Sequence, residues 1–154
     1  MSMLKSLRRI VQEVNAAKDV EEALQLIVLR VSAVMQTEVC SVYLFDSNTQ
    51  RYILMDSVGL KKESIKQVSL KADQGLVGYV GQREEPVNLE DSTQHPNYVY
   101  LAGTGEERFH SFLGVPIIHQ RRILGVIVVQ HQDKRRFDEG EEAFLVTVSA
   151  QLAG

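Results

Sequence analysis

The side chains that could do chemistry fall into a few groups. Cys40 is the chain's one cysteine. Inside Val39-Cys40-Ser41-Val42 it has apolar neighbours, a setting in which a thiol packs as a small hydrophobe; the contrary reading is a redox nucleophile. The histidines are His95, His110, His119 and His131. His119 and His131 are expected near one another across a hairpin, and no carboxylate or cysteine is spaced to complete a metal set. Gly75, Gly78 and Gly81 recur every third residue. Neither Walker spacing nor G-x-G-x-x-G is present, so the expectation is a helix whose small face lies close against a sheet, not a phosphate cradle. The last group lies in residues 90–112, where Asp91, His95, Tyr98, Tyr100, Arg108, Phe109 and Phe112 precede a strongly apolar run. Polar and aromatic side chains above an apolar sheet face are what a small-molecule pocket needs. Arg108 would fork onto a ligand carboxylate, or pair with Glu106 or Glu107 on a decorated surface loop; the residues leave both open. No G-x-S-x-G elbow occurs and no acid pair stands out by spacing, so no catalytic residue and no metal ligand is assigned.

Elements that would position these groups are legible from periodicity. Leu4, Leu7, Val11 and Val14 alternate spacings of three and four, one narrow apolar stripe on a helix. A stripe of that width suits a helix–helix seam, so these four residues are candidates for a dimer interface. Asp19, with Glu22 three on, reads as an N-cap and its reciprocal partner. It opens a second helix through Val20, Leu24, Ile27, Val31 and Val34, separated from the first near Ala16-Ala17-Lys18. From Val39 the pattern turns β-branched and aromatic, and Asp46-Ser47-Asn48-Thr49 joins two strands of a hairpin. A short strand at Gln67 to Leu70, a helix through Leu76 to Val80 capped by Asp73, and an edge strand starting at Pro86 follow. Residues 90–108 break every period, as a functional lid or mobile loop does. Phe112 to Ile118 and Ile123 to Val129 are apolar on both faces, the mark of central strands covered on two sides. Asp138 and Glu141 cap a last helix carrying Ala143, Phe144, Val148 and Leu152. The expected class is α+β: about six mostly antiparallel strands, terminal helices on one face, short helices and loops on the other. The last helix keeps its pattern to Gly154, which reads as a fragment of a longer protein.

Composition narrows the function classes. The chain has 154 residues and a net charge of −3, with a pI near 5.8, a balance that argues against nucleic acid as main ligand. Its small basic clusters, such as Lys134-Arg135-Arg136, sit beside acidic residues and read as solvated faces. The apolar run Ile123 to Val129 is far short of the roughly 20 residues of a membrane helix. The N-terminus has no secretory core, and a lone cysteine suits a reducing compartment, so a cytoplasmic location is expected.

The succession of motifs resembles the GAF domain family over essentially the whole chain: Asp73 to Val80 (D-x-G-L-V-G-x-V), Glu85 to Leu89 (E-P-V-N-L), Ser111 to Ile118 (S-F-L-G-V-P-I-I) and Leu124 to Gln130 (L-G-V-I-V-V-Q). Thr37 to Leu44, Gly59-Leu60-Lys61-Lys62, Glu107-Arg108-Phe109 and Glu142 to Thr147 are further similar to the N-terminal GAF domain of nitrogen-branch enzymes I of the bacterial phosphotransferase system. The resemblance implies a GAF fold over residues 1–154 and a regulatory module with no cofactor of its own. Enzymes of that branch take a phosphoryl group from phosphoenolpyruvate, with magnesium, onto a histidine and pass it to an HPr-like carrier. Their GAF domain is expected to sense nitrogen status, with glutamine and 2-oxoglutarate as effectors. The G-G-x-x-S-H phosphohistidine motif is absent here, and so is the Asn-Lys of cyclic-nucleotide GAF domains, although Phe137 with Glu141-Glu142 keeps that pattern's tail. Free methionine-sulfoxide reductases of this fold need several cysteines. On this reading Asp91, Tyr98, Tyr100, Arg108, Phe109 and Phe112 are candidate ligand contacts, and ligand would close residues 90–108 over the sheet. A homodimer whose terminal helices form a bundle would carry the signal onward. The alternatives are a purely structural dimerisation module and a small Cys40-dependent redox enzyme.

Overall fold

The computed structural model describes residues 2–154. Helix α1 runs Met3–Asn15 and α2 runs Val20–Met35. Asp19 caps α2 by accepting from the Glu22 N–H at 2.8 Å. Strands β1 (Val39–Asp46) and β2 (Arg51–Val58) form a hairpin. Next come β3 (Ser69–Lys71), α3 (Gly75–Arg83), β4 (Val87–Leu89), β5 (Ser111–His119), β6 (Arg122–His131) and α4 (Glu139–Ala153). The six strands pair in the order β3-β2-β1-β6-β5-β4, antiparallel at every step. β5 turns into β6 through Gln120 and Arg121, both at positive φ (50° and 65°), the backbone of a tight two-residue hairpin.

Alternation along the central strands divides the interior in two. Cys40, Val42, Leu113, Val115, Ile117, Ile127 and Val129 point to one face, where Ile27, Val28 and Val31 of α2 and Phe144, Leu145 and Val148 of α4 cover them. Val39, Tyr43, Phe112, Val126 and Val128 point to the other, beneath Leu76, Val77 and Val80 of α3 and the long connection from β4 to β5. Every buried strand face therefore has a cover, which is why β5 and β6 carry no polar alternation over most of their length. Gly125 sits where β6 crosses β1 closely enough that a Cβ would meet the Tyr43 carbonyl oxygen. The helix of glycines has two small contacts: Gly81 lies against the Tyr52 hydroxyl of β2, and Gly78 against the turn at Ala72 and Asp73.

Several expectations need correction. Asp73 does not cap α3: its N-cap is Gln74, without a side-chain bond. Val20 is 65% exposed, and α2 buries Val28 and Met35 in its place, because the helix's inner face lies one position round from the expected stripe. In α1, Ser6 and Ile10 are the buried residues; Leu7 and Val14 pack at the rim of the core that Ile10 enters while Leu4 stays exposed. His119 and His131 are not neighbours. His119 pairs Arg122 at the turn and His131 pairs Ser111 at the far end of the hairpin, roughly 30 Å apart at 3.3 Å per strand residue.

Candidate functional site

The connection from β4 to β5 is folded down on the sheet and fastened at several points. Asp91 caps a single 3-10 turn (Ser92–Gln94), accepting from the Thr93 N–H at 3.1 Å and the Thr93 hydroxyl at 2.7 Å. The Ser92 N–H donates to the His110 carbonyl at 2.6 Å, and the His110 N–H to the His131 carbonyl at 2.8 Å, which closes the connection into a loop on the end of β6. Midway, the Lys61 N–H donates to the Thr104 carbonyl at 2.9 Å. Gly103 and Gly105, at φ 86° and 77°, provide the left-handed backbone that brings a second 3-10 turn (Glu106–Arg108) back inward.

Beneath this connection lies a cavity of about 20 Å³, room for about one water. Its apolar walls include Leu76, Phe112 and Val128, and its polar groups are Tyr43, Ser92, Tyr98, Glu106 and Gln130. Ser92 is 1% exposed and its hydroxyl oxygen has no hydrogen-bond partner among the described residues. Glu106 is part of no ion pair there. Burial, and to a lesser degree the adjacent Glu107 carboxylate, pushes its carboxyl up to about 7. Burial with the nearby Glu106 charge likewise raises the hydroxyls of Tyr43 and Tyr98, the latter also feeling Glu107. Polar groups left unpaired against an apolar wall are costly in a folded chain, so this cluster is the candidate site.

Of the six candidate contacts, Tyr98 and Phe112 line the cavity. Phe109 is buried in the same apolar layer without facing the cavity. Asp91 is occupied by Thr93 and lies 3.5 Å from Lys134; hydrogen bonding from Thr93 holds its carboxyl below the ordinary value. Tyr100 is 52% exposed, and Arg108 is exposed with its guanidinium 5.1 Å from the Phe109 ring centre. Arg108 pairs with neither Glu106 nor Glu107. The 90–108 connection is already packed on the sheet, so access needs it to lift, contrary to closure as the first event. Glu106, Ser92, Gln130 and Tyr43 were not singled out by the sequence. Gln130 did carry a signal: it shares the parity of Val126 and Val128, a polar side chain on an otherwise apolar strand face.

Elsewhere the chemistry is quieter. Cys40 is fully buried and its thiol is pushed far up by burial, with a smaller push from Asp56, the reverse of a reactive thiolate. Among the described residues no group of His, Cys, Asp and Glu is arranged to hold a metal, and no helix is long and apolar enough to cross a membrane. An open groove of about 550 Å³ runs between the start of α2 and the β2–β3 connection. Its charges are solvated, as in the Lys66–Glu21 pair at 2.7 Å, half-exposed or more on each side. An exposed pair of that kind organises little.

The GAF domain family model matches residues 19–154. A relative from Escherichia coli (strain K12), described as phosphoenolpyruvate-dependent phosphotransferase system, is 49% identical over 151 residues. That match takes in 98% of this chain and 20% of the relative, so the chain spans about a fifth of that protein's length. Among solved structures, the GAF domain of a phosphoenolpyruvate-protein phosphotransferase from Coxiella burnetii superposes with a TM-score of 0.94 at 45% identity, covering 98% of this chain and 90% of that one. The corresponding GAF domain from Acinetobacter gives 0.92 at 49%, covering 100% and 93%. Family model, relative and solved structures thus agree: the chain belongs to the GAF domain family, in the branch similar to the GAF domains of phosphoenolpyruvate-protein phosphotransferases.

Proposed function

We propose that this chain is the small-molecule-sensing regulatory module of a phosphoenolpyruvate-protein phosphotransferase of the nitrogen branch. It adjusts phosphoryl transfer from phosphoenolpyruvate to an HPr-like carrier in response to nitrogen status, with glutamine or 2-oxoglutarate as the metabolite read. The observation that carries this reading is the cavity under the 90–110 connection, where an unpaired Ser92 hydroxyl and an unpaired Glu106 carboxyl face an apolar sheet. Stability alone does not favour such groups; a ligand that pairs them does. The module itself is non-catalytic and needs no cofactor. Magnesium and the phosphoenolpyruvate chemistry belong to the rest of a protein such as the Escherichia coli relative. The module works in the cytoplasm as a homodimer, neither nucleic acid nor membrane being a partner.

Opening is part of the mechanism. A cavity of about 20 Å³ admits no metabolite until Tyr98, Val99 and Leu101 move outward. Ligand affinity is then reduced by the cost of opening, and any signal is bounded by the ligand's preference for the open arrangement, typically about 1–3 kcal/mol. A thermal-shift screen with glutamine and 2-oxoglutarate tests the reading. A metabolite at about 100 times its dissociation constant adds roughly 2.7 kcal/mol, an easily seen rise in Tm. The cavity's small size favours one rival, a structural dimerisation module, and a flat screen with a stable dimer would select it.

A further inference from the structure

The end of β6 meets the start of α4 through an arginine held between a histidine and a carboxylate. His131 is 9% exposed, and its Nε2 lies 2.7 Å from a guanidinium nitrogen of Arg135. An arginine only donates, so this ring nitrogen is the acceptor and carries no proton. The ring's one proton is therefore on Nδ1, which stands 3.9 Å from the Glu38 carboxylate. Arg135 reaches on to Glu141 of α4 at 3.3 and 3.4 Å. The same carboxylate accepts from the Asp138 N–H at 2.9 Å and so closes the capping box of that helix. Phe137 packs against both partners, 5.0 Å from the guanidinium and 5.5 Å from the imidazole, whose plane it nearly shares at 17°. The backbone of His131 serves another element: its carbonyl accepts from the His110 N–H at the foot of the 90–110 connection, and its N–H donates to the Ser111 hydroxyl at 3.1 Å.

A second proton on this ring has one place to go, Nε2, where it meets a donor. Among the described residues, the charged and titratable groups facing the ring are Glu38 before β1, Asp133 and Arg135 after β6, and Glu141 of α4. His110 turns its own ring away, to the Gln132 carbonyl at 2.8 Å. Burial first, and then the Arg135 charge, resist the proton and hold His131 below its ordinary 6.5, against the opposite pull of the three acids. We propose that His131 is an acid-released pin for the start of α4: the neutral ring holds Arg135 on Glu141, and a proton at Nε2 expels Arg135 and frees the first turn of the helix from β6. The sign follows from the opened state, whose histidine titrates in the ordinary way. The pinned arrangement keeps its full advantage above about pH 6.5 and loses it as pH falls toward the lowered value of the closed state. Glu106, with a carboxyl pushed up to about 7, acts on the whole fold with the opposite sign, so the pin is read locally.

The test is nitrogen-15 NMR and amide hydrogen exchange of this chain between pH 8 and pH 5. Imidazole correlations are expected to show His131 as the Nδ1–H tautomer at pH 8, with a midpoint below 6.5. Protection factors at Phe137, Asp138 and Glu141 are expected to fall about tenfold from pH 7.5 to pH 5, while those of Val126 to Val128 hold. H131Q, whose amide oxygen still accepts from Arg135 without titrating, is expected to keep the protection of α4's first turn level across the range. R135Q, which removes the opposing cation, is expected to raise the His131 midpoint. An Nε2–H tautomer at pH 8, protection at Phe137 and Asp138 that ignores pH, or a fall shared equally by Val126 to Val128 overturns the proposal. So does an H131Q variant that keeps the parent's pH dependence. If H131Q does not fold, R135Q decides: an unchanged His131 midpoint there overturns the pin, and a raised one upholds it.

Discussion

At Glu106 burial and charge oppose one another, and pH separates them. The unfolded carboxyl titrates near 4.5 and the folded one near 7. Between those values the folded chain holds a proton that the unfolded chain has lost, so the stabilising contribution is fully present below about pH 4.5 and disappears as pH rises through 7. A shift of that size corresponds to about 2–3 kcal/mol, allowing for partial solvent access. Thermal unfolding across pH 4.5 to 8 should therefore show a downward slope in the parent that E106Q lacks, with E106Q the more stable of the two at pH 8. Parallel profiles would show that Glu106 is solvated. None of this was legible in the sequence. Glu106 stood there as a surface acid beside Glu107 and Arg108, because the turn that carries it inward depends on Gly103 and Gly105 adopting left-handed backbone far from any periodic element. Arg108 drew attention as the cation, and the fold sends it outward.

Among the elements, β4 and α4 meet in a joint built by one side chain. Asn88, 8% exposed, donates to the Phe137 carbonyl at 2.8 Å and to Glu142 at 3.2 Å, and accepts from the Phe137 N–H at 3.1 Å. Asn88 thus ties the strand that leads into the cavity's cover to the first turn of the last helix, itself closed by the Asp138–Glu141 capping box. Asn88→Ala leaves the buried Phe137 backbone groups unpaired and should cost about 2–4 kcal/mol. Denaturant titration reads the loss, and hydrogen exchange should quicken first at the start of α4; a loss below about 0.5 kcal/mol would mean water replaces the amide. Helices and hairpins were readable because their signals are local: the Asp19 and Asp138 caps, the Asp46 turn, the apolar parity of β5 and β6. The Asn88 joint was not, since it spans 49 residues of sequence and its residue type fits an edge strand equally well. The expected pairing of His119 with His131 failed for a related reason: both lie on one hairpin, but proximity depends on distance from the turn.

For the molecule as a whole, the terminal helices present the uncovered apolar face on which copies would meet. Leu7 and Val14 are already engaged with the core, and Leu7, Val11 and Val14 share a crevice with Val148 and Leu152 of α4. Leu4, 66% exposed, and Met3, 39% exposed, lie beside Ala143 and Thr147 without a cover. If a dimer forms on this face, Leu4→Glu should dissociate it in sedimentation with little change in Tm. Leu7→Glu should lower Tm by itself because it charges an internal seam; an unaltered dimer in Leu4→Glu would move the interface elsewhere. The class of fold was plain from the sequence, yet which side of the first helix its own core takes needed the observed burial of Ile10. One consequence of the two-faced sheet concerns distance. Gln130 faces the cavity and Val129 faces α2 and α4; Phe112 and Leu113 divide in the same way. The sheet acts as a diaphragm a single residue thick, with the cavity on one side and the helical layer on the other. A change in the cavity would not have to travel around the domain's edge to reach α2 and α4, because the nearest helix-facing side chain is one peptide unit away.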